Sequence, residues 1–205
     1  MASVLVVFES EYGQASKIAE HIGEMTRRHG LDARVMEVDM AHAVDLRGYE
    51  AVAVVAPVYF GHHASHITAF VKSHAQLLST RRTALFSVSN SAAATAPATR
   101  EEAMRVARAF ATSASWRPEI IATVAGAIAY PRYNFMLRFV MKHIAEREGQ
   151  PTDTHRTHEL TDWPALDRVI QNLVGPWAVS STDQPAPPPP SPPPADAASL
   201  APPLR

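Results

Sequence analysis

With 205 residues and a formal net charge of −1, the chain lacks the basic excess of a general nucleic-acid binder, so no nucleic-acid partner is expected. It has no cysteine, which excludes disulfides, thiolate metal sites, cysteine-ligated iron–sulfur clusters and a cysteine nucleophile. Ten of its 17 prolines lie at or beyond Pro185, no basic signal segment opens the chain, and no apolar run approaches the ~18 residues that span a bilayer. These features predict one domain over 1–175, soluble or peripheral to a membrane, followed by a Pro-rich disordered tail over 176–205.

Val4 to Phe8 is a continuous apolar, β-branched run, the pattern of a strand buried on both faces. Glu9 to Ala15 breaks it with short polar residues and a glycine. Helical spacing then begins at Ser16 and runs through Ile18, Ile22 and Met25 to Gly30, which occupies the position past a helix end that glycine favours. A strand, a tight polar loop and a helix N-terminus aim backbone N–H groups and a positive dipole end at one point, which makes an anion site. Ser10, Glu11, Tyr12, Gly13, Gln14 and Ala15 resemble the phosphate loop of flavodoxin-like proteins, with alanine at 15 where a hydroxyl residue is usual. The same stretch also reads as an ordinary βα turn. Neither a Walker lysine nor a G-x-G-x-x-G is present, which disfavours nucleoside triphosphates and Rossmann-type dinucleotides.

Further strands are predicted at 33–38, 49–57, 82–89 and 119–127, and helices at 67–78, 100–112 and 164–173, the last with Asp162 as N-cap and Pro164 in its first turn. The alternation implies parallel βαβ units with right-handed crossovers. The expected fold is therefore α/β and flavodoxin-like, a five-stranded parallel sheet of order 2-1-3-4-5 between helices, whose ligand site lies outside the carboxyl ends of strands one and three. The loops there and after strand four offer Pro57, Val58, Tyr59, Phe60 and Gly61, and Ser89, Asn90 and Ser91, as flat apolar neighbours and hydrogen-bonding groups for a planar ring. His62, His63 and His66 have no accompanying carboxylate or cysteine, so a hydrated loop is expected there and no metal site.

Between the fifth strand and the last helix, about 128–161, lies an insertion too long for a simple connection. Tyr130 to Ile144 contains Arg132, Arg138 and Lys142 and no acidic residue, and Phe135, Met136, Phe139, Val140 and Ile144 fall at helical one-face spacing. Such a helix either packs its apolar face on the domain, lies on an anionic membrane surface or receives an acidic amphipathic ligand.

Gly61-His62, Trp116-Arg117-Pro118, Ala125-Gly126-Ala127, Tyr130-Pro131-Arg132-Tyr133, Thr152-Asp153-Thr154 and Thr161-Asp162-Trp163 follow in the order of the bacterial flavodoxin-like protoporphyrinogen oxidases, and the chain resembles that family from about Val4 to Val174. The resemblance implies FMN as cofactor and oxidation of protoporphyrinogen IX to protoporphyrin IX in haem biosynthesis. It further implies electron transfer to a membrane quinone such as menaquinone, and a cytoplasmic protein peripheral on the inner face of the cell membrane. It makes Arg132, Tyr133, Arg138 and Lys142 candidate contacts for substrate propionates or lipid headgroups. His62 is the one candidate for a general base, its ordinary pKa lying near neutrality, and a structural loop histidine is the competing reading. A flavodoxin-type electron carrier or general quinone reductase is the alternative function.

Overall fold

The computed structural model describes residues 2–177. The sequence expectation of a disordered tail falls, from 178 onward, outside the described residues. Pro176 and Trp177 form a turn after the last helix, and Trp177 packs half-buried on the core.

Five parallel strands form the central sheet: β1 (Ser3–Phe8), β2 (Asp32–Glu37), β3 (Ala51–Tyr59), β5 (Arg82–Ser89) and β6 (Ile120–Ala125), in the order β2-β1-β3-β5-β6. This is the predicted order once the two-residue β4 (His62–His63), an antiparallel hairpin partner of β3, is set aside. The helices are α1 (Gln14–Arg28), the single turn α2 (Val38–Ala41), α3 (Ser65–Leu78), α4 (Pro97–Ser113), α5 (Phe135–Glu148) and α6 (Trp163–Val174).

The period-two geometry of a strand divides the core in two. Val4 and Val6 face Ile18 and Ile22 of α1 and Ile170 and Leu173 of α6. Leu5 and Val7 face Ile67, Phe70 and Val71 of α3 and Phe110 of α4. Burial on both sides is what makes β1, β3 and β5 near-continuous apolar runs. At the sheet's lower edge Arg82 donates to the carbonyls of Leu173 (2.9 Å) and Asn172 (2.8 Å), satisfying acceptors at the end of α6. Trp116, almost fully buried, donates through Nε1 to the Thr83 hydroxyl at 3.2 Å.

His63 lies against the Phe110 ring, centroids 4.2 Å apart, with Nε2 3.0 Å from Ser87 Oγ, and burial lowers its pKa from 6.5 to about 4. Above pH 6.5 the ring is neutral folded or unfolded, and no stability depends on it. As pH falls below 6.5 the unfolded chain binds a proton that the folded chain refuses until about pH 4, so stability is lost across that window, by up to about 3 kcal/mol. Thermal melts of the wild type should fall more steeply over this range than those of His63→Gln. Equal slopes would contradict the account.

Two boundaries near the cleft depart from the sequence expectation, and the insertion helix resolves an open one. Helix α1 begins at Gln14 instead of Ser16, because Gly13 at φ 95° turns the chain straight into the helix. The predicted fifth strand is cut at Gly126, whose N–H bonds Ser89 O, and the chain leaves the sheet as β7 (Ala127–Ala129) to pair antiparallel with β8 (Thr157–Glu159). Of the apolar face expected on the insertion helix, Ile144 is half-buried and lines the cleft, while Phe135, Met136, Phe139 and Val140 do not pack on the domain. Phe135, Met136 and Phe139 are 87%, 76% and 72% exposed, and α5 packs instead through Leu137, Met141 and Ala145 on Tyr12, Tyr130 and Tyr133.

Candidate functional site

Strand β1 ends at Phe8, and the loop behind it is held by its own polar groups. Ser10 Oγ accepts from Gly13 N at 3.1 Å, Glu11 N donates to the Tyr59 hydroxyl at 3.2 Å, and Arg132 Nη1 donates to Tyr12 O at 2.7 Å. Gln14 Nε2 bonds the Thr161 hydroxyl, which donates to Ala125 O, and so ties the loop to the end of the insertion. No side chain caps α1, and its first turn holds no acidic residue, so the orphan N–H groups of that turn remain for an outside acceptor.

Opposite stands the β3–β4 hairpin. Tyr59 pairs with His62, and the two residues between them, Phe60 (φ 51°) and Gly61 (φ 80°), both lie in the left-handed region, as a tight type I′ connection requires. Glycine takes this without cost, whereas phenylalanine is strained by about 1 kcal/mol and yet stands 79% exposed at the tip. Phe60→Asn, which restores the favoured Asn-Gly pair, should raise the melting temperature by about 2–4 °C. If this ring stacks on a planar ligand, the same change should weaken that ligand roughly 3- to 10-fold. A variant that melts lower, or binds equally well, would contradict this.

Between these walls lies a cleft of about 650 Å³ at the carboxyl ends of β1, β3, β5 and β6. Thirteen of the fourteen residues expected to hold a cofactor line it: Ser10, Glu11, Tyr12, Gln14, Ala15, Pro57, Val58, Tyr59, Phe60, Gly61, Ser89, Asn90 and Ser91. Gly13 sits behind, under the Arg132 guanidinium. Ala15, which stands where a hydroxyl is usual, is 4% exposed and belongs to the core. Tyr12 stands edge-on to Tyr59 (5.8 Å) and to Tyr133 (5.0 Å), an aromatic corner joining loop, hairpin and insertion. Burial lifts the phenols of Tyr12 and Tyr59 to about 12, with the Glu11 carboxylate adding to the rise, so both stay neutral at ordinary pH and serve as surfaces and hydrogen-bonding groups.

Of the residues expected to meet substrate or lipid, Tyr133 lines the cleft and its hydroxyl accepts from Ala129 N at 3.1 Å. Arg132 lies outside the cleft lining, its guanidinium over Gly13 in the loop between β1 and α1. Arg138 donates to the carbonyls of Tyr130 and Tyr133, bracing the turn before α5, and Lys142 is exposed. His62 is exposed and outside the cleft lining. His66 Nδ1 lies 3.0 Å from Asp39 Oδ1, and His63 turns into the core, so the three histidines do not converge. Of the cleft face of α5, sequence reasoning named Ile144 but missed Leu137, Met141 and Glu148, which line the wall together with Arg147. The spacing of four, three and four residues through Leu137, Met141, Ile144 and Glu148 is itself a helical stripe, masked by the stronger Phe135, Met136, Phe139 stripe beside it.

The arrangement offers an anion socket at a bare helix N-terminus, a flat aromatic slot next to it, and an added helix closing one side. Residues 5–155 match the family model described as Flavodoxin domain. The protoporphyrinogen IX dehydrogenase (quinone) of Escherichia coli K12 is 33% identical over 169 residues, covering 82% of this chain and 93% of that protein. The protein of the same name from Leishmania major is 28% identical over 170 residues, covering 82% of this chain and 73% of that one. Among solved structures, oxidised Flavodoxin 1 from Bacillus cereus superposes with a TM-score of 0.53 at 13% identity, covering 85% of this chain and 98% of that one. The rubredoxin oxygen:oxidoreductase of Desulfovibrio gigas gives 0.52 at 14% identity, covering 85% of this chain and 35% of that one. These structural likenesses establish the fold, and the sequence relatives establish the family. The chain belongs to the Flavodoxin domain family and, within it, to the protoporphyrinogen IX dehydrogenase (quinone) oxidoreductases.

Proposed function

We propose that this chain binds FMN in the cleft, oxidises protoporphyrinogen IX to protoporphyrin IX and passes the electrons to a quinone dissolved in the membrane, on whose surface α5 rests. The observation that carries the reading is the two-sided helix α5. Its inner stripe lines the cleft while its outer stripe, Phe135, Met136, Phe139 and Val140, is exposed.

The residues present fit FMN. The uncapped first turn of α1 suits its phosphate, with the Arg132 guanidinium adding positive charge on the outer side. Tyr59 and Phe60 offer planes for the ring, and Ser89 and Asn90 offer polar contacts for its edge. When bound, the flavin supplies the two-electron acceptor. Tyr12, Tyr133 and the apolar stripe of α5 form a wall against which a tetrapyrrole ring can lie, out of water. The absence of an ionisable phenol at neutral pH leaves Tyr12 and Tyr59 as positioning surfaces.

Among the described residues no helix is long and apolar enough to cross a membrane. Helix α5 has instead the make-up of a surface-lying helix, with Lys142 and the exposed Arg132 placed to meet anionic headgroups. Mixing the FMN-loaded protein with protoporphyrinogen IX under anaerobic conditions, without quinone, tests the chemistry. Flavin absorbance should bleach, and with protein in excess porphyrin fluorescence should rise by no more than one porphyrin for every three flavins reduced, because the six-electron oxidation takes three two-electron steps. Flavin that stays oxidised in the presence of protoporphyrinogen, yet is reduced by other donors, would move the chain to the electron carriers or general quinone reductases.

A further inference from the structure

Among the described residues four side-chain polar atoms are shielded from solvent without a hydrogen-bond partner, and three of them gather at one wall of the cleft: Ser89 Oγ, Glu148 Oε2 and Gln150 Oε1. Ser89 and Glu148 line the cleft. Gln150 stands behind them, its Nε2 donating to Asn90 O at 2.8 Å, which fixes its Oε1 as the free acceptor. Glu148 ends α5, and its other oxygen receives only a long contact, 3.5 Å, from Ser91 Oγ. No Lys, Arg or His among the described residues pairs with its carboxyl. Burial raises its pKa, as expected for a carboxyl without a cation.

A shielded acceptor left without a donor is costly, and native structures rarely keep several together unless something else completes them. The wall is rich in acceptors, so what completes it is a donor. The ring systems proposed for this cleft carry N–H groups of this kind: the imide N–H of a flavin and the pyrrole N–H groups of a tetrapyrrole. Resting on the function proposed above, we infer that Glu148, which lines the cleft and is held in its shielded position only by the long Ser91 contact, turns its carboxyl outward and accepts an N–H hydrogen bond from the ring held there.

Glu148→Gln keeps the size of the side chain but turns one acceptor into a donor, and Glu148→Ala removes both acceptors. FMN is titrated into the apoprotein, and protoporphyrin IX into the FMN-saturated protein, each followed by fluorescence, with thermal melts to confirm that the variants fold. Weakening of FMN by about 10-fold or more in Glu148→Gln assigns the contact to the flavin imide. Unchanged FMN affinity with protoporphyrin IX weakened to that degree assigns it to the pyrrole N–H groups. If the wild type binds FMN and both folded variants bind both probes within about 2-fold of it, the inference is overturned while the proposed function stands. A wild-type chain that binds neither probe overturns both.

Discussion

Phe135→Glu together with Phe139→Glu is expected to weaken binding to anionic phosphatidylglycerol vesicles by at least about 100-fold while leaving FMN affinity unchanged. Each ring now stands largely in water, and moving a phenylalanine side chain fully out of water is worth about 1.5–3 kcal/mol. Two rings entering the acyl boundary even partway supply several kcal/mol, against about 1.4 kcal/mol for each tenfold in affinity. The introduced carboxylates add repulsion from the lipid surface, which Lys142 and Arg132 otherwise favour. The inner stripe of Leu137, Met141 and Ile144 is untouched, so the cleft keeps its shape. Sedimentation with vesicles reads the first effect and flavin fluorescence the second. Vesicle binding equal to that of the wild type would show that lipid does not cover this face.

Gly13→Val is expected to raise the FMN dissociation constant by about 10- to 100-fold. Gly13 holds φ 95°, where a β-branched residue is strained by about 1–2 kcal/mol or more, and a Cβ there would stand 2.8 Å from Arg132 Nη1. The free protein relieves this by letting the loop between β1 and α1 rearrange and by displacing Arg132. Binding the phosphate must then restore both, at a cost that lowers affinity by that factor. Arg132 is joined to Tyr12 O, so the same change should loosen the insertion's hold on the loop. Isothermal titration with FMN measures the effect, and Arg132→Ala separates the two causes. If Gly13→Val binds FMN as the wild type does, the N-terminus of α1 is not the phosphate socket.

The parts of this molecule that were legible in sequence are those whose signal is local. Strands β1, β3 and β5 announce themselves because burial on two faces demands unbroken apolar runs, and the sheet order then places the Ser10, Tyr59 and Ser89 loops on one cleft. Asp162 was readable as an N-cap, and its side chain accepts from Ala165 N as a cap should. The end of β6 was missed although Gly126 is a break signal in the run Ala125-Gly126-Ala127, because a lone glycine in a strand does not say whether the strand ends, and only the folded chain shows Gly126 close against Val88 and Asn90. Strand β8 is three polar-flanked residues paired over a long chain separation, and it carries no strand pattern of its own.

In α5 two apolar stripes compete. The larger side chains left open whether their face packs inward or meets an outside surface, and contact with Tyr12 and Tyr133 is what selects Leu137 and Met141 for packing. Arg132 illustrates the same limit. Its charge suggested an outside partner, and the sequence carried no sign that it also holds the carbonyl of a residue 120 positions earlier. Glu148 had no local signal at all, because its meaning lies in a wall built from three separate stretches of chain.

The most direct test is turnover of protoporphyrinogen IX by the FMN-loaded wild-type chain on liposomes, under anaerobic conditions, with and without menaquinone in the bilayer. Porphyrin fluorescence that accumulates catalytically only when the quinone is present, and above a control without protein, is the predicted result. Porphyrin no faster than in that control, from protein whose flavin still cycles with other donors and quinones, would contradict the dehydrogenase reading and leave α5 as a docking surface for a different redox partner.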